Sequence, residues 1–183
     1  MNEKRLAMKM LLNILAIFFS LCIFASTNKA APMSFEAKQT EFLNRIPEIA
    51  EKYIGIPYEY GGVFEKSGFL DNSHLFYMIY DTAASSSNLR WQGYLTMNGL
   101  YDNSVEIQRD DLRNGDLLFL KNGHAAMIYK FKNPENFNLI YSSYKRKQVI
   151  TFHCQNVAFK VYWLKNLKGY YRPAELLLLR DHN

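Results

Sequence analysis

Apolar residues from Phe35 to Ile54 fall mostly at three- and four-residue steps: Phe35, Phe42, Ile46, Ile49, Ala50 and Tyr53. That spacing predicts an amphipathic helix, with Pro47 as an interior irregularity. "GIPYEYGG" (Gly55 to Gly62) reads as turn material. Gly55 ends the helix, Pro57 prevents its restart, and Gly61–Gly62 let the backbone bend. A second helix is predicted from about Ser73 to Ala84, with Leu75, Phe76, Ile79, Tyr80 and Ala83 facing inward. Residues 85 to 104 are polar and loop-like, with a short helix around Leu95 to Leu100. The period then changes to strands: Ser104–Gln108, Asp116–Leu120, His124–Phe131, Asn138–Tyr144, Gln148–Cys154 and Ala158–Leu164. Gly123, Asn133–Pro134 and Lys145–Lys147 supply the turns. Helices first and an antiparallel meander second give an α+β class, not a parallel wound sheet.

The first 30 residues have a different character. Lys4, Arg5 and Lys9 precede an apolar stretch from Met10 to Ala25, interrupted by Asn13 and Ser20, and small residues follow at Ala25, Ser26, Thr27, Ala30 and Ala31. This is the build of a secretory signal peptide, or of an uncleaved N-terminal anchor, ahead of a single domain over residues 31–183. The expected location is exported: periplasmic or cell-envelope, or inner-membrane anchored if the segment is retained. Cys22 follows Leu21 inside the apolar run, which does not suit lipidation. Cys154 is then the one thiol of the remainder, so no intrachain disulfide forms there. A hydrophobic content of 49% suits a packed core. The net charge of +5 owes much to the N-terminus; residues 31–183 hold 18 basic and 16 acidic residues. That balance, without a clustered basic face, points away from nucleic acid. Membrane contact is expected only through the N-terminal segment.

Three pieces of sequence stand in order. "PYEYGG" (Pro57 to Gly62) precedes a helix that opens at "DNSH" (Asp71 to His74). "LRNGDLLFL" (Leu112 to Leu120) leads into "HAAMIY" (His124 to Tyr129). "GYYRP" (Gly169 to Pro173) follows near the end. The arrangement resembles the NlpC/P60 family of papain-like cell-wall cysteine peptidases, whose pattern runs P-Y-x-W-G-G, D-C-S-G at a helix start, a G-D-L strand, then H-V-G-I-Y. The resemblance covers about residues 45 to 173. It implies a papain-like α+β fold, N-terminal helices packed on a five- to six-stranded antiparallel sheet. It places the family's nucleophile at Asn72, its histidine base at His124 and its third polar residue at Tyr141, or else Ser142 or Ser143. The tyrosine beside the nucleophile corresponds to Tyr58. The chain departs from the pattern at Asn72, at Tyr141, at His74 (a glycine in the family) and at Tyr60 (a tryptophan in the family).

A cysteine at a helix start works as a thiolate stabilised by the helix macrodipole and a nearby histidine. Asn72 has no titratable group and is a poor nucleophile, while its amide suits a helix start and pocket lining. Ser73 could in principle pair with a histidine, but adjacent helix residues point about 100° apart, which turns it away from His124. Cys154 shares a strand face with Ile150 and Phe152 and reads as a buried small hydrophobe. His74 and His124, with Asp71, are the residues from which a metal site would have to be built; no spacing marks one, and no cofactor is implied. His153 and His182 read as surface residues. His124 is either structural or a retained ligand contact, and Tyr58, Tyr60, Tyr141 and Tyr144 would wall a groove with flat amphipathic rings. Asp71 and His74 complete the candidate substrate-binding set.

Three functions are compatible with these residues. The first is an exported NlpC/P60-like domain, catalytically impaired, that binds peptidoglycan stem peptides or regulates cell-wall turnover. The second is an active peptidoglycan amide hydrolase using Ser73 or a metal. The third is a structural domain with a closed cleft that binds an envelope protein partner.

Overall fold

The computed structural model describes residues 33–180; the N-terminal signal or anchor, Cys22 and His182 lie outside the described residues. The first helix, α1 (Phe35–Glu51), is capped by Ser34, whose hydroxyl accepts from the Ala37 amide, and it runs through Pro47. It buries Phe42, Ile46, Ile49 and Ala50, the face that the sequence period marks. A one-turn helix, α2 (Phe64–Ser67), precedes α3 (Asn72–Ser86), which buries Ser73, Leu75, Phe76, Ile79, Tyr80, Ala83 and Ala84. The loop that follows carries a strand that alternation did not reveal, β1 (Leu89–Trp91), and then α4 (Met97–Asp102).

The remaining strands are β2 (Ser104–Ile107), β3 (Leu117–Leu120), β4 (Ala125–Asn133), β5 (Asn136–Ser143), β6 (Gln148–His153), β7 (Leu167–Pro173) and β8 (Leu178–Arg180). Six of them form one antiparallel sheet in the order β2-β7-β3-β4-β5-β6, so β3 to β6 are a meander and β7 inserts between β2 and β3. β1 and β8 make a separate two-stranded ribbon. The sheet is covered on both faces. Ala125, Met127, Tyr129, Ile140 and Val149 share one core with α1 and α3, while Ala126, Ile128, Leu139 and Phe137 share a second with Phe159 and Trp163.

The sequence predicts no strand at β7, which takes the place in the sheet between β2 and β3, and one expected strand is absent. Ala158–Leu164 is not a strand; Phe159–Trp163 is a helical turn of the wide, i→i+5 kind, closed by the Leu164 amide on the Phe159 carbonyl at 2.9 Å. Asn156 starts it, its side chain accepting from the Ala158 amide at 2.8 Å. Phe159, Val161 and Trp163 alternate with polar residues and so imitate a strand. Yet Val161 points out, 65% exposed, while Phe159 and Trp163, four apart, are both buried. Burial at four-residue spacing is helical.

Candidate ligand-binding site at the Asn72 helix start

Two glycines bring the "PYEYGG" loop against the start of α3. Gly61 adopts φ +70°, a left-handed conformation suited to glycine. A side chain on Gly62 would meet the Phe69 backbone at 3.0 Å. The loop also extends the sheet: Tyr58 donates its amide to Lys147 O at 2.9 Å, and Leu70 donates to Pro57 O at 3.0 Å. Residues 57–60, the β5–β6 turn and the first residues of α3 therefore meet at one end of the sheet.

Asp71 is the N-cap of α3 and the hub of this junction. Its Oδ1 accepts from the His74 amide at 2.9 Å, the Ser73 hydroxyl at 2.8 Å and His74 Nδ1 at 3.1 Å. Its Oδ2 accepts from the Gly61 amide at 3.1 Å. Tyr94, a loop residue with no signal in the sequence, stacks its ring on His74 at 4.3 Å between centroids. Its hydroxyl lies 3.0 Å from Ser73 Oγ. Because Ser73 gives its proton to Asp71, the Tyr94 hydroxyl is the donor to Ser73. A serine nucleophile needs an imidazole nitrogen to accept its proton. Here Ser73 and the Nδ1 of His74 both donate to the same carboxylate oxygen, so the two do not form a nucleophile–base pair.

Asn72 occupies the first turn of α3, half-buried, and both ends of its amide are engaged with the sheet. Nδ2 donates to the Ala125 carbonyl at 2.9 Å, and Oδ1 accepts from the Ser142 amide at 2.6 Å. The register of β4 and β5 pairs Met127 with Ile140 and Ile128 with Leu139; extending it places Ala125 opposite Ser142. Pairing begins only at Met127, however. Ala125 O and Ser142 N are the groups that the next rung of an antiparallel ladder would join. The Asn72 amide stands between them instead, a side-chain substitute for a backbone rung. Ser142 is held on its other side as well, its hydroxyl donating to Leu70 O at 2.6 Å.

The other expected positions divide. His124 lies at the same end of the sheet, one residue before Ala125, and is exposed. Its backbone amide donates to Asn122 Oδ1, and its ring has no hydrogen-bond partner among the described residues. Alternation along β4 assigns it to the face of Ala126 and Ile128, away from α3. Tyr141 does not join the cluster. It packs edge-on against Phe152 and Trp163 in the second core, because its neighbour Ser142 takes the α3 side. Cys154 is buried and free, in the second core. His153 is half-buried, its Nε2 3.1 Å from Asn136 Oδ1. Among the described residues no three histidine, cysteine or carboxylate side chains converge as a metal site, so Asp71, His74 and His124 do not assemble into one.

Beside Asn72 lies an aromatic shelf. Tyr60 is 90% exposed and Tyr144 65% exposed, and the Tyr58 and Tyr144 rings meet edge-on at 5.7 Å. Lys147 Nζ sits 3.8 Å from the Tyr144 ring centroid, a cation–π contact. Burial, reinforced by the Asp71 charge, holds the Tyr58 phenol above its ordinary range, so it remains a hydrogen-bond donor. A separate cavity of about 60 Å³ is lined by Phe42, Tyr80, Trp91, Arg113, Asp116 and Arg172 among others, and none of the expected site residues lines it. Next to it, two motif pieces meet in a pairing that the sequence did not announce. Arg172 of "GYYRP" grips buried Asp116 of "GDL" with two bonds of 2.8 and 2.9 Å.

Neither family models nor curated protein sequences match this chain. Solved structures do. A lipoprotein-like NLP/P60 family protein from Staphylococcus aureus superposes with a TM-score of 0.53 at 21% identity, over 88% of this chain and 47% of its own. The fold is that of the NlpC/P60 proteins. An NlpC/P60 family protein from Bacillus cereus gives 0.52 at 19% identity, over 72% of this chain and 40% of its own. The peptidoglycan hydrolase RipB from Mycobacterium tuberculosis gives 0.50 at 13% identity, over 87% and 73%. This chain thus spans less than half the length of the S. aureus and B. cereus proteins. The family resemblance of the motifs and the likeness of the fold agree.

Proposed function

We propose that this chain is an exported NlpC/P60-like domain of the cell envelope that holds peptidoglycan stem peptides without cutting them. One observation carries the loss of chemistry. At the family's nucleophile position the side chain is committed, at both ends, to joining β4 to β5. A nucleophile must leave its reactive atom free toward substrate; the Asn72 amide has no free end and no acidic proton. The shelf of Tyr58, Tyr60 and Tyr144 supports retained binding, since tyrosine rings give flat contact area at low entropic cost. Lys147, held over Tyr144, adds a cation for peptide carboxylates. The hydrolase alternative through Ser73 has less support, because the Ser73 proton and the His74 Nδ1 proton go to one carboxylate oxygen.

The test is incubation of the full chain with purified muropeptides, following binding by calorimetry and cleavage by mass spectrometry. Saturable binding that Tyr58→Ala and Tyr144→Ala weaken, with no new amine released, is the expected result. Cleavage by the natural sequence that disappears in His124→Ala would sink the binding-only reading.

A further inference from the structure

Between Glu135 and Glu175 the chain has no acidic residue and seven basic ones: Lys145, Arg146, Lys147, Lys160, Lys165, Lys168 and Arg172. Within this run lies the helical turn that covers the second face of the sheet. Its inner side is spent on the core through Phe159 and Trp163. Its outer side is not polar, as a solvent-facing turn ordinarily is. Val157 is 74% exposed and Val161, four residues on, 65% exposed. Residues four apart on a helical turn lie side by side. Lys160 and Lys165 are exposed around them. Tyr162, 47% exposed, flanks the valines where the turn meets the β3–β4 loop; Asn122 Nδ2 reaches its hydroxyl at 3.4 Å, and exposed Lys121 is the next residue.

We propose that this outer face docks on an anionic phospholipid surface. Two adjacent valines and an amphipathic tyrosine are the groups that enter the headgroup boundary, and surrounding lysines complement its negative charge. The exposed lysines of this face, Lys121, Lys160 and Lys165, are of one sign, which argues against a protein partner with mixed surface charge. The valines argue against a soluble polyanion, which lysines alone would hold and which gains nothing from exposed aliphatic groups. The apolar stretch from Met10 to Ala25 favours the same occupant, since either a signal or an anchor brings the chain to a membrane. This proposal does not rest on peptide binding at the tyrosine shelf and survives its failure.

The experiment compares the full chain in nanodiscs of phosphatidylglycerol and of phosphatidylcholine, with hydrogen exchange read at the amides of residues 155–166. A local readout separates docking of this face from any insertion of the N-terminal segment. Slower exchange at these amides in phosphatidylglycerol alone is expected, declining with added salt. Lys160→Gln and Lys165→Gln should each weaken the protected state about fivefold, the value of one lysine near an anionic surface. Val157→Ser with Val161→Ser, at positions outside the core, should weaken it in phosphatidylglycerol at unchanged salt dependence. Equal exchange in both lipids would overturn the proposal. So would equal protection by soluble poly(glycerol phosphate) that the valine substitutions leave untouched, which would assign the face to a wall polymer.

Discussion

Replacing Asn72 with alanine tests whether the amide bridge holds the sheet together. The substitution removes both hydrogen bonds and leaves Ala125 O and Ser142 N, on residues 0% and 5% exposed, without their partners. Each stranded buried group costs about 1–3 kcal/mol. The strand ends can recover part of this by closing onto each other, because Ala125 and Ser142 are already in register. The net cost should be about 2–4 kcal/mol, a large part of the roughly 5–15 kcal/mol that holds a domain folded. For a domain of this size that lowers Tm by about 5–15 °C. Urea unfolding followed by circular dichroism measures the loss, and the exchange rate of the Ser142 amide locates it. A stability change within about 0.5 kcal/mol, the range of an ordinary surface substitution, would refute the bridge as a structural element. So would a Ser142 amide that exchanges as slowly in the variant as in the natural chain.

Further outcomes follow from other contacts. Burial pushes the Asp116 carboxyl above the ordinary aspartate range, with the Arg172 guanidinium partly offsetting it. The native state therefore holds this proton more tightly than the unfolded chain. Its contribution to stability is fully present below the ordinary aspartate pKa of about 4 and is lost as pH rises through the raised native value. The difference in unfolding free energy between the natural chain and Asp116→Asn should fall with rising pH across that window; a rising difference would refute the assignment. Arg172→Met leaves a buried carboxylate unpaired and should cost about 3–5 kcal/mol at neutral pH, with partial relief in acid, read by urea denaturation. Trp163→Ala should cost about 3–5 kcal/mol and speed exchange across residues 157–164 first, because Phe159 and Trp163 are the buried side chains that fasten that turn to the second core. Tyr170→Phe removes a buried hydroxyl that has no partner among the described groups. Thermal unfolding should show it neutral or stabilising by up to about 1 kcal/mol.

The elements with a long period were legible in the sequence. α1, α3 and the β3–β6 meander follow from apolar spacing, because their apolar positions recur at each element's own period. β1 and β8 were not legible. Three residues are too few to show alternation, and their pairing joins Leu89 to Arg180, which no local signal links. The turn at Phe159–Trp163 was misread because a strand period of two and a helical step of four coincide at Phe159 and Trp163. In the site, the motif singles out Asn72, and Ser142 stands among the alternatives for the third polar position, but the bonds that join them were not legible. Ala125 and Ser142 contribute backbone atoms, which carry no residue-type signal. Tyr94 had none either: it reaches Asp71's cluster from a polar loop. Tyr141 fell in the motif order but on the wrong side of the strand, since a register of one residue exchanges the two faces.

The bridge also decides what restoring a cysteine can do. A thiol at position 72 would gain the helix macrodipole, which lowers its pKa below the ordinary value of about 8.5. It cannot both donate to Ala125 O and accept from Ser142 N as the amide does, so Asn72→Cys should be less stable than the natural chain. A papain-like nucleophile further needs an imidazole beside it. His124 sits at the right end of the sheet, but strand alternation turns it to the face of Ala126 and Ile128 rather than toward α3. The rate of iodoacetamide alkylation of Asn72→Cys against pH should therefore show one inflection, set by the helix start, and adding His124→Ala should leave it in place. Cys22 and Cys154 supply the background, measured in the natural chain. If His124→Ala instead shifts the inflection upward, the imidazole reaches the thiol, and the position would lack nothing but its sulfur. If it does not, the departure from a cysteine–histidine pair extends past one atom, to the placement of the imidazole as well as the side chain at position 72.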